Sequence, residues 1–391
     1  MNRYLIIGNG VAGTTAAEQI RKLDKEGVIT ILTEEDLPFY YRIRLPELIA
    51  GELQEEKLVA RKETWYSEQG IELRLKTRIT GADLGKKTVF SDKGESFAFD
   101  LLLIATGSSS FVPPMKGAEK KGVFTLRSIQ DARDIAGWAR KIQNVVLIGG
   151  GLLGLEVGNG LRKLGKKVSV VEFFPRLLPR QLDVDGAARL QGIMEKMGFS
   201  FRLGARTREI TGEDRVSGVS LEGGETLPCE MVVISAGVRP NLSLAKEINL
   251  DHDKGIKVDE RLLTSSAGIY AAGDVAEFRG IPYGIWPAAM EQGKVAGINM
   301  AGGDAVYGGT TPANTLKVVG IDVASAGEID AEGKFQSKIV SNGNLYKKAV
   351  LDQNRIIGCI MLGETGNFSK AVKAIGNKED ASKVIDSILG E

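Results

Sequence analysis

The chain has 391 residues, 43% of them hydrophobic and 26% charged, a composition typical of a globular protein with two or three domains. Lys and Arg total 51 against 50 Asp and Glu, so a net charge of +1 gives no reason to expect nucleic acid or an anionic membrane as partner. Two distant cysteines and no apolar run of about 18 residues predict no disulfide framework, zinc site or membrane span. We therefore expect a cytoplasmic protein without a metal site.

The first predicted unit, over residues 3–34, reads strand, glycine turn, helix, strand. The apolar start MNRYLII runs directly into GNGVAG, which indicates a first strand and not a signal peptide. Gly8 permits a tight turn, Gly10 lets the backbone approach a diphosphate, and Gly13 allows the helix to pack closely on the strand. Glu34 ends the second strand, where a carboxylate can accept hydrogen bonds from ribose hydroxyls.

The same plan recurs over residues 144–172, where VVLI is followed by GGGLLG, a helical stretch and KVSVVE. Gly149, Gly151 and Gly154 repeat the glycine spacing, and Glu172 closes the unit. Two such units predict two Rossmann-like domains and two dinucleotide sites. The spacing alone does not say which dinucleotide each site takes.

The residues around Glu172 favour NAD over NADP at the second site. A carboxylate repels a 2′-phosphate, and Phe173, Phe174 and Pro175 offer no cation to bind one. Arg176 is the nearby residue that could reverse this preference.

Two more apolar strands end in glycine, at residues 100–107 and 230–237. A third strand is predicted over 268–274 and a helix over 288–302. Asp274 follows the third of these strands. An aspartate there can accept from a polyol hydroxyl such as flavin ribityl, or cap the helix that follows.

After about residue 308 the pattern changes to alternating or apolar runs between turn residues, which predicts an antiparallel sheet, followed by a final helical segment. We therefore predict an α/β fold with two Rossmann-like domains, the second inserted in the first, and a small C-terminal α+β domain. The expected boundaries are 1–110 with 241–307 for the first domain, 111–240 for the second, and 308–391 for the third.

The combination of GNGVAG with Glu34, LLLIATG, GGGLLGLE with Glu172, ISAGVRPN and TSSAGIYAAGDV is specific. With these motifs the chain resembles the FAD-dependent pyridine nucleotide–disulfide oxidoreductases over nearly its whole length. The resemblance implies that the first domain binds FAD and that the inserted domain binds NAD(H), with NADP less favoured.

The resemblance also implies roles for individual residues. Ile79 would contact adenine through its backbone, Trp286 would lie near the flavin ring, and Glu156 near the nicotinamide. The full set implied for FAD is Gly8, Gly10, Gly13, Glu34, Arg42, Ile79, Thr106, Gly107, Arg127, Asp274 and Trp286. The set implied for NAD is Gly149, Gly151, Gly154, Glu156, Glu172 and Gly237.

The usual thiol chemistry of the family is missing from this sequence. The stretch FYYRIRLPELIAGE holds no cysteine where the disulfide reductases have a pair, and the single histidine, His252, lies in a polar loop. This excludes disulfide reduction by the usual route and leaves direct flavin chemistry, for which no catalytic residue stands out. The stretch YYRIRL at residues 40–45, which fits the pattern YxRxxL, and the stretch NTLKVVGIDVASAGE resemble rubredoxin reductases and the flavin part of nitrite reductases, whereas Glu47 counts against the oxygenase-linked reductases.

The leading hypothesis is an oxidoreductase that passes hydride from NADH to FAD and then single electrons to a small carrier such as rubredoxin. One alternative is an NADH oxidase that reduces dioxygen, and another is a redox-sensing flavoprotein with a protein partner. The cysteine-rich domain of a nitrite reductase is not in the sequence, so we expect a chain that is not that whole enzyme. A monomer and a homodimer are both compatible with the sequence.

Overall fold

The structure, a computed structural model, describes residues 1–311 and 313–390, and for Asn314 and Leu316 only the backbone. The predicted C-terminal domain, 308–391, therefore includes two positions, 312 and 391, that lie outside the described residues. The chain divides into two compact units, each built from three segments. The first unit is Met1–Arg42, Gln54–Ser109 and Val238–Thr310, and the second is Ile43–Leu53, Ser110–Gly237 and Thr311–Glu391.

A parallel sheet forms the centre of the first unit, and its middle strand is Arg3–Ile7. Ile7 lies opposite Leu32 on one neighbouring strand and opposite Ile104 on the other. Because the three strands are parallel, their carboxyl ends lie side by side. The strand order across this sheet is Ile269–Ala271, Leu101–Ile104, Arg3–Ile7, Val28–Leu32 and Ile71–Arg74. The unit also has strands Ile79–Asp83, Thr88–Ser91 and Ser96–Ala98 in an antiparallel sheet, and the pair Ile256–Val258 and Ala276–Phe278.

Helices Val11–Leu23 and Trp286–Met300 cover one face of this sheet, with Ile6 and Ile31 in the core beneath them. The two helices pack closely because Gly293 and Gly297 carry no side chain. A Cβ at Gly293 would overlap the backbone of Ala12. The remaining α-helices among the described residues of this unit are Glu63–Glu68 and Ser243–Glu247, and Glu55–Lys57 forms a 3-10 helix.

The second unit repeats the parallel sheet around the strand Asn144–Ile148, where Ile148 lies opposite Val171 and Ile234. The strand order is Ser200–Leu203, Lys167–Glu172, Asn144–Ile148, Met231–Ile234 and Val123–Thr125. An antiparallel sheet joins Thr207–Thr211, Gly218–Leu221 and Thr226–Pro228. The helices of this part are Leu45–Ile49, Ile129–Ala139, Leu152–Lys163 and Val184–Lys196, and short strands at Ser108–Ser110 and Val238–Pro240 stand where the chain passes between units.

The C-terminal part of the second unit is one antiparallel sheet with two helices on one face. Its strand order is Ala313–Val318, Ile321–Gly327, Arg355–Leu362, Leu345–Asp352 and Gln336–Asn342. The predicted final helical segment is two helices, Phe368–Gly376 and Ala381–Leu389, whose buried side chains pack against this sheet. The second helix begins at a new N-cap, where the Asp380 side chain accepts from the Ser382 N–H.

The predicted fold class, α/β with two parallel sheets and a C-terminal α+β part, is confirmed. Within residues 1–311 and 313–390 we find no helix with the length and apolarity that crossing a bilayer requires. The same residues contain no group of three or more His, Cys, Asp or Glu side chains placed to hold a metal ion.

A buried charged network links the C-terminal sheet to the helix Val184–Lys196 within the second unit. The Lys348 Nζ lies 3.1 Å from Asp183 Oδ2 and 3.8 Å from Asp330 Oδ2, and the side chains of all three residues are at most 7% exposed. The Tyr346 hydroxyl donates to the same Asp183 oxygen at 2.6 Å, and Asp183 Oδ1 accepts from the Gly186 N–H as the cap of that helix. Burial and the neighbouring Asp183 raise the pKa of Tyr346, which therefore stays a donor.

We expect Lys348→Ala to destabilise the second unit by about 3–5 kcal/mol, because it leaves two carboxylates buried without their cation. The measurement is the thermal unfolding midpoint by calorimetry. The matched control is Lys338→Ala, since the Lys338–Asp386 pair is 39% and 67% exposed and such pairs contribute about 0–1 kcal/mol. Equal shifts of the unfolding midpoint in the two variants would contradict the larger stabilisation that we assign to the buried network.

Candidate functional site

The first glycine turn follows the strand Arg3–Ile7 and opens the helix Val11–Leu23. Gly8 has φ +113°, and a Cβ there would overlap the Ala105 carbonyl of the neighbouring strand end. A Cβ at Gly13 would overlap the Gly8 carbonyl oxygen. At Gly10, in contrast, a Cβ would meet only Arg42 Nη1, at 3.6 Å. Internal packing thus explains Gly8 and Gly13 but does not require Gly10.

Asn9 lies inside this turn, and the oxygen and the nitrogen of its buried side-chain amide differ in their hydrogen bonding. Its Oδ1 accepts from the hydroxyl of Tyr66 at 3.0 Å and from that of Thr14 at 3.2 Å. Its Nδ2 is buried and has no hydrogen-bond partner among the described residues. Burial raises the pKa of Tyr66, so the phenol stays protonated and can donate to Asn9. The Tyr66 and Thr14 hydroxyls thereby fix which end of Asn9 is left to donate.

Two carboxylates follow the strand Val28–Leu32, and they have different surroundings. Glu34 is 64% exposed, and its nearest cation, Arg78, is 3.7 Å away. Glu35 accepts from both Tyr40 and Arg42. The Nε of Arg42 is buried without a partner among the described residues and lies beside a small cavity that Asn9 and Glu35 also line. Glu34 is therefore the accessible carboxylate, and its predicted role at ribose stays a prediction. Glu35 orients Arg42.

The closing strand Leu101–Ile104 leads to Thr106 and Gly107, the predicted residues along the flavin nucleotide. Asn241, which the sequence reading did not assign a role, holds this turn. Its Nδ2 donates to the Thr106 carbonyl at 2.8 Å and its backbone N–H to the Gly107 carbonyl at 3.0 Å. Asp274 lies beside this turn in space, since the Ser108 hydroxyl donates to its Oδ2 at 2.7 Å.

Trp286 begins the helix Trp286–Met300 and belongs to an aromatic cluster with Tyr41 and Phe39. Its ring lies 5.8 Å from that of Tyr41 at an interplanar angle of 20°, and 5.9 Å from that of Phe39. Tyr41 is 40% exposed, so the cluster is open to solvent on one side. Ile79 begins the antiparallel strand Ile79–Asp83, where it lies opposite Ser91.

The structure places ten of the residues predicted for FAD in the first unit, and Arg127 in the second. Arg127 precedes the helix Ile129–Ala139, and its backbone N–H donates to Asp131. A fit of the first unit to FAD is supported by Asn9 and Arg42, which carry donors without a partner among the described residues, together with an open Gly10 and an exposed Glu34. The assignment of individual contacts stays a prediction.

The second glycine turn repeats the first. Gly149 has φ +114°, and a Cβ there would overlap the Ser235 carbonyl, while a Cβ at Gly154 would lie 2.8 Å from the Gly149 carbonyl oxygen. A Cβ at Gly151 would meet nothing within 4 Å, so internal packing does not require this glycine. Gly237, at the end of the closing strand, has φ +99°. This turn fits a second dinucleotide by the same argument.

Glu172 is 6% exposed, and its carboxylate accepts from the Gly150 N–H and, at 2.8 Å, from the Phe174 N–H. Arg176, the residue that could have favoured NADP, donates to the carbonyls of Leu182 and Pro179. Its guanidinium is therefore bound within its own loop.

Glu156, predicted to lie near the nicotinamide, has an unexpected partner. Its Oε1 accepts from the Val319 N–H at 2.7 Å, so the helix Leu152–Lys163 is joined to the C-terminal sheet. Burial raises the pKa of Glu156, while the Val319 N–H and Lys163 act in the opposite direction. The predicted role at the nicotinamide stays a prediction.

Both cysteines are buried, and burial raises the pKa of each thiol to about 12. Cys229 lies in the core beside the central sheet, and Cys359 in the strand Arg355–Leu362. Neither is a thiolate near neutral pH, and thiol–disulfide exchange requires the thiolate.

A sequence profile described as pyridine nucleotide-disulphide oxidoreductase matches residues 2–293. The chain belongs to this family. Membership confirms the family resemblance and the expectation of FAD and NAD(H) as cofactors. A second profile, the rubredoxin NAD+ reductase C-terminal domain, matches residues 312–379.

Among curated relatives, the chain is 36% identical over 385 residues to a nitrite reductase [NAD(P)H] of Bacillus subtilis, covering 97% of this chain and 48% of the relative. The chain thus spans about half the length of that relative. It is 32% identical to an NADH-rubredoxin oxidoreductase of Clostridium acetobutylicum, covering 99% and 96%. The solved structure of NADH:rubredoxin oxidoreductase from that organism gives a TM-score of 0.84 at 30% identity, covering 100% and 99%. An NADH oxidase of Methanocaldococcus jannaschii is 34% identical over 342 residues, covering 83% and 76%.

We expect Asn9→Ala to weaken FAD binding about tenfold, because one buried donor is lost, and Tyr66→Phe to weaken it by a smaller factor, because it releases the orientation of Asn9. The measurement is quenching of FAD fluorescence on titration of the flavin-free protein. Ser67→Ala is the control, since among the described residues the Ser67 hydroxyl has the Thr64 carbonyl as its one acceptor. Unchanged affinity in Asn9→Ala would rule out a role for the free amide.

Proposed function

We propose that the chain passes hydride from NADH to FAD and then single electrons to a small redox protein such as rubredoxin. The observation that carries this proposal is the state of the two cysteines, the only ones in the sequence. Both are buried thiols of high pKa, so neither is suited to relay electrons between the flavin and an acceptor. Bound FAD supplies the redox chemistry, because a flavin accepts two electrons together and releases them one at a time.

The chain's own residues bind and orient the two nucleotides in this proposal. Gly10 and Gly151 let backbone N–H groups at two helix starts reach the diphosphates. Asn9 and Arg42 add side-chain donors at the first site, and Glu34 accepts from ribose. Hydride transfer needs no general base, which agrees with the lack of an assigned catalytic residue.

The matching C-terminal profile and the relative named NADH-rubredoxin oxidoreductase support rubredoxin as the acceptor. The nitrite reductase relative is about twice as long as this chain, so the acceptor and the activity of the whole protein are part of the proposal. We further propose a cytoplasmic protein that acts as a monomer or homodimer, with neither nucleic acid nor membrane as partner.

The test is a stopped-flow and steady-state assay of the FAD-loaded protein. We expect NADH to bleach the flavin absorbance without oxygen, and rubredoxin to be reduced much faster than dioxygen. Slow turnover with rubredoxins, beside rapid bleaching by NADH, would overturn the carrier and leave the NADH step intact.

The second candidate is an NADH oxidase, for which the similarity to the Methanocaldococcus jannaschii protein is the specific support. This candidate predicts that oxygen consumption equals or exceeds carrier reduction in the same assay. An oxygen rate about a hundredfold below the carrier rate, a difference of about 2.7 kcal/mol in barrier height, would reject it.

The thiol-free route makes a separate prediction. We expect the Cys229→Ala and Cys359→Ala variants to keep their rates of NADH-dependent acceptor reduction within about twofold, since neither thiol is a thiolate at working pH. Iodoacetamide should leave the native protein unmodified by mass spectrometry and its activity unchanged. Loss of activity in parallel with alkylation would show that a thiol takes part.

A further inference from the structure

An arginine lies beside the end of the second βαβ unit, where Glu172 stands. It is Arg206, and not Arg176, the residue that the sequence suggested. The guanidinium carbon of Arg206 lies 4.8 Å from the centre of the Phe173 ring. Phe173 directly follows Glu172 and is 55% exposed. The Arg206 side chain is 60% exposed, so both groups face solvent beside the dinucleotide turn.

Backbone hydrogen bonds hold this arrangement together. The Ala205 N–H donates to the Glu172 carbonyl at 3.0 Å, and the Gly204 N–H donates to the Phe174 carbonyl at 2.9 Å. The loop that carries Arg206 is therefore tied to the loop that follows Glu172. Phe173 and Phe174 pack edge to face at 5.3 Å, which adds a second ring to the exposed surface.

The charge balance at this edge differs from what Glu172 alone would give. The Glu172 carboxylate is withdrawn and accepts from two backbone N–H groups, which partly offset its charge. Arg206 Nε lies 4.0 Å from Glu222 Oε2, and both side chains are 60% exposed. An exposed pair of this kind is weak, so a phosphate can replace Glu222 at the guanidinium.

We propose that Arg206 and Phe173 form the adenosine-recognition surface of the second dinucleotide site, and that Arg206 binds the 2′-phosphate of NADPH. A guanidinium matches phosphate in bidentate geometry and interacts favourably with the face of an aromatic ring. The Arg206 guanidinium already lies over the Phe173 ring. The chain would thus accept NADPH as well as NADH. This inference rests on the proposed function, whose electron donor it widens.

The first experiment compares NADH and NADPH as reductants of the FAD-loaded protein. We expect the two kcat/KM values to lie within about tenfold of each other in the unmodified protein. We expect Arg206→Ala to lower kcat/KM for NADPH by about tenfold or more, and for NADH by less than about threefold. The matched control is Arg208→Ala, two residues along, whose side chain is also 60% exposed and pairs with Glu209.

The second experiment measures binding without turnover, by calorimetric titration with adenosine 2′,5′-bisphosphate and with ADP. We expect Arg206→Ala to weaken the first by about tenfold and to leave the second nearly unchanged. Equal weakening of both would make Arg206 a general adenine contact and overturn the 2′-phosphate role, as would equal effects of Arg208→Ala. If the binding pattern holds while neither coenzyme reduces the flavin, the proposed function fails and this inference stands.

Discussion

The structure of each unit depends on one constraint, which is that a tight turn must carry the chain from the central parallel strand directly into a helix packed against it. Meeting it requires a positive φ at Gly8 and Gly149, positions where a Cβ would also overlap the carbonyl of the closing strand. The helix must then start close to that strand, which explains the third glycine of each motif. The close packing of each helix on its central strand follows from this turn.

The parts of the fold that local spacing determines could be predicted. Glycine spacing, terminal acids and glycine-ended strands are encoded within about 30 residues, the length of a βαβ unit. Tyr66 reaches Asn9 from 57 positions away, and no pattern within that interval marks the pairing. The segment Ile43–Leu53 belongs to the second unit because its helix packs on Gly160, where a Cβ would lie 2.8 Å from the Pro46 carbonyl. That contact could not be read from the sequence.

The candidate site shows the same division between local and long-range information. The sequence pointed to Arg176 because it lies close to Glu172 along the chain, yet Arg176 is bound to two carbonyls of its own loop. The exposed guanidinium beside Phe173 belongs to Arg206, which an adjacent strand brings to the same edge. In a parallel sheet, residues that recognise one ligand come from several strand ends, so distance along the chain is a poor guide to which of them meet.

The buried network of Asp183, Tyr346 and Lys348 limits how the C-terminal sheet can be exchanged between related proteins. Asp183 caps a helix of the central part, and its two partners come from the C-terminal sheet. A chimaera that exchanged the C-terminal sheet for one without a lysine at that position would inherit an uncompensated buried anion. Changes at these three positions must therefore occur together. The C-terminal sheet and the rest of the second unit should be exchanged as one module.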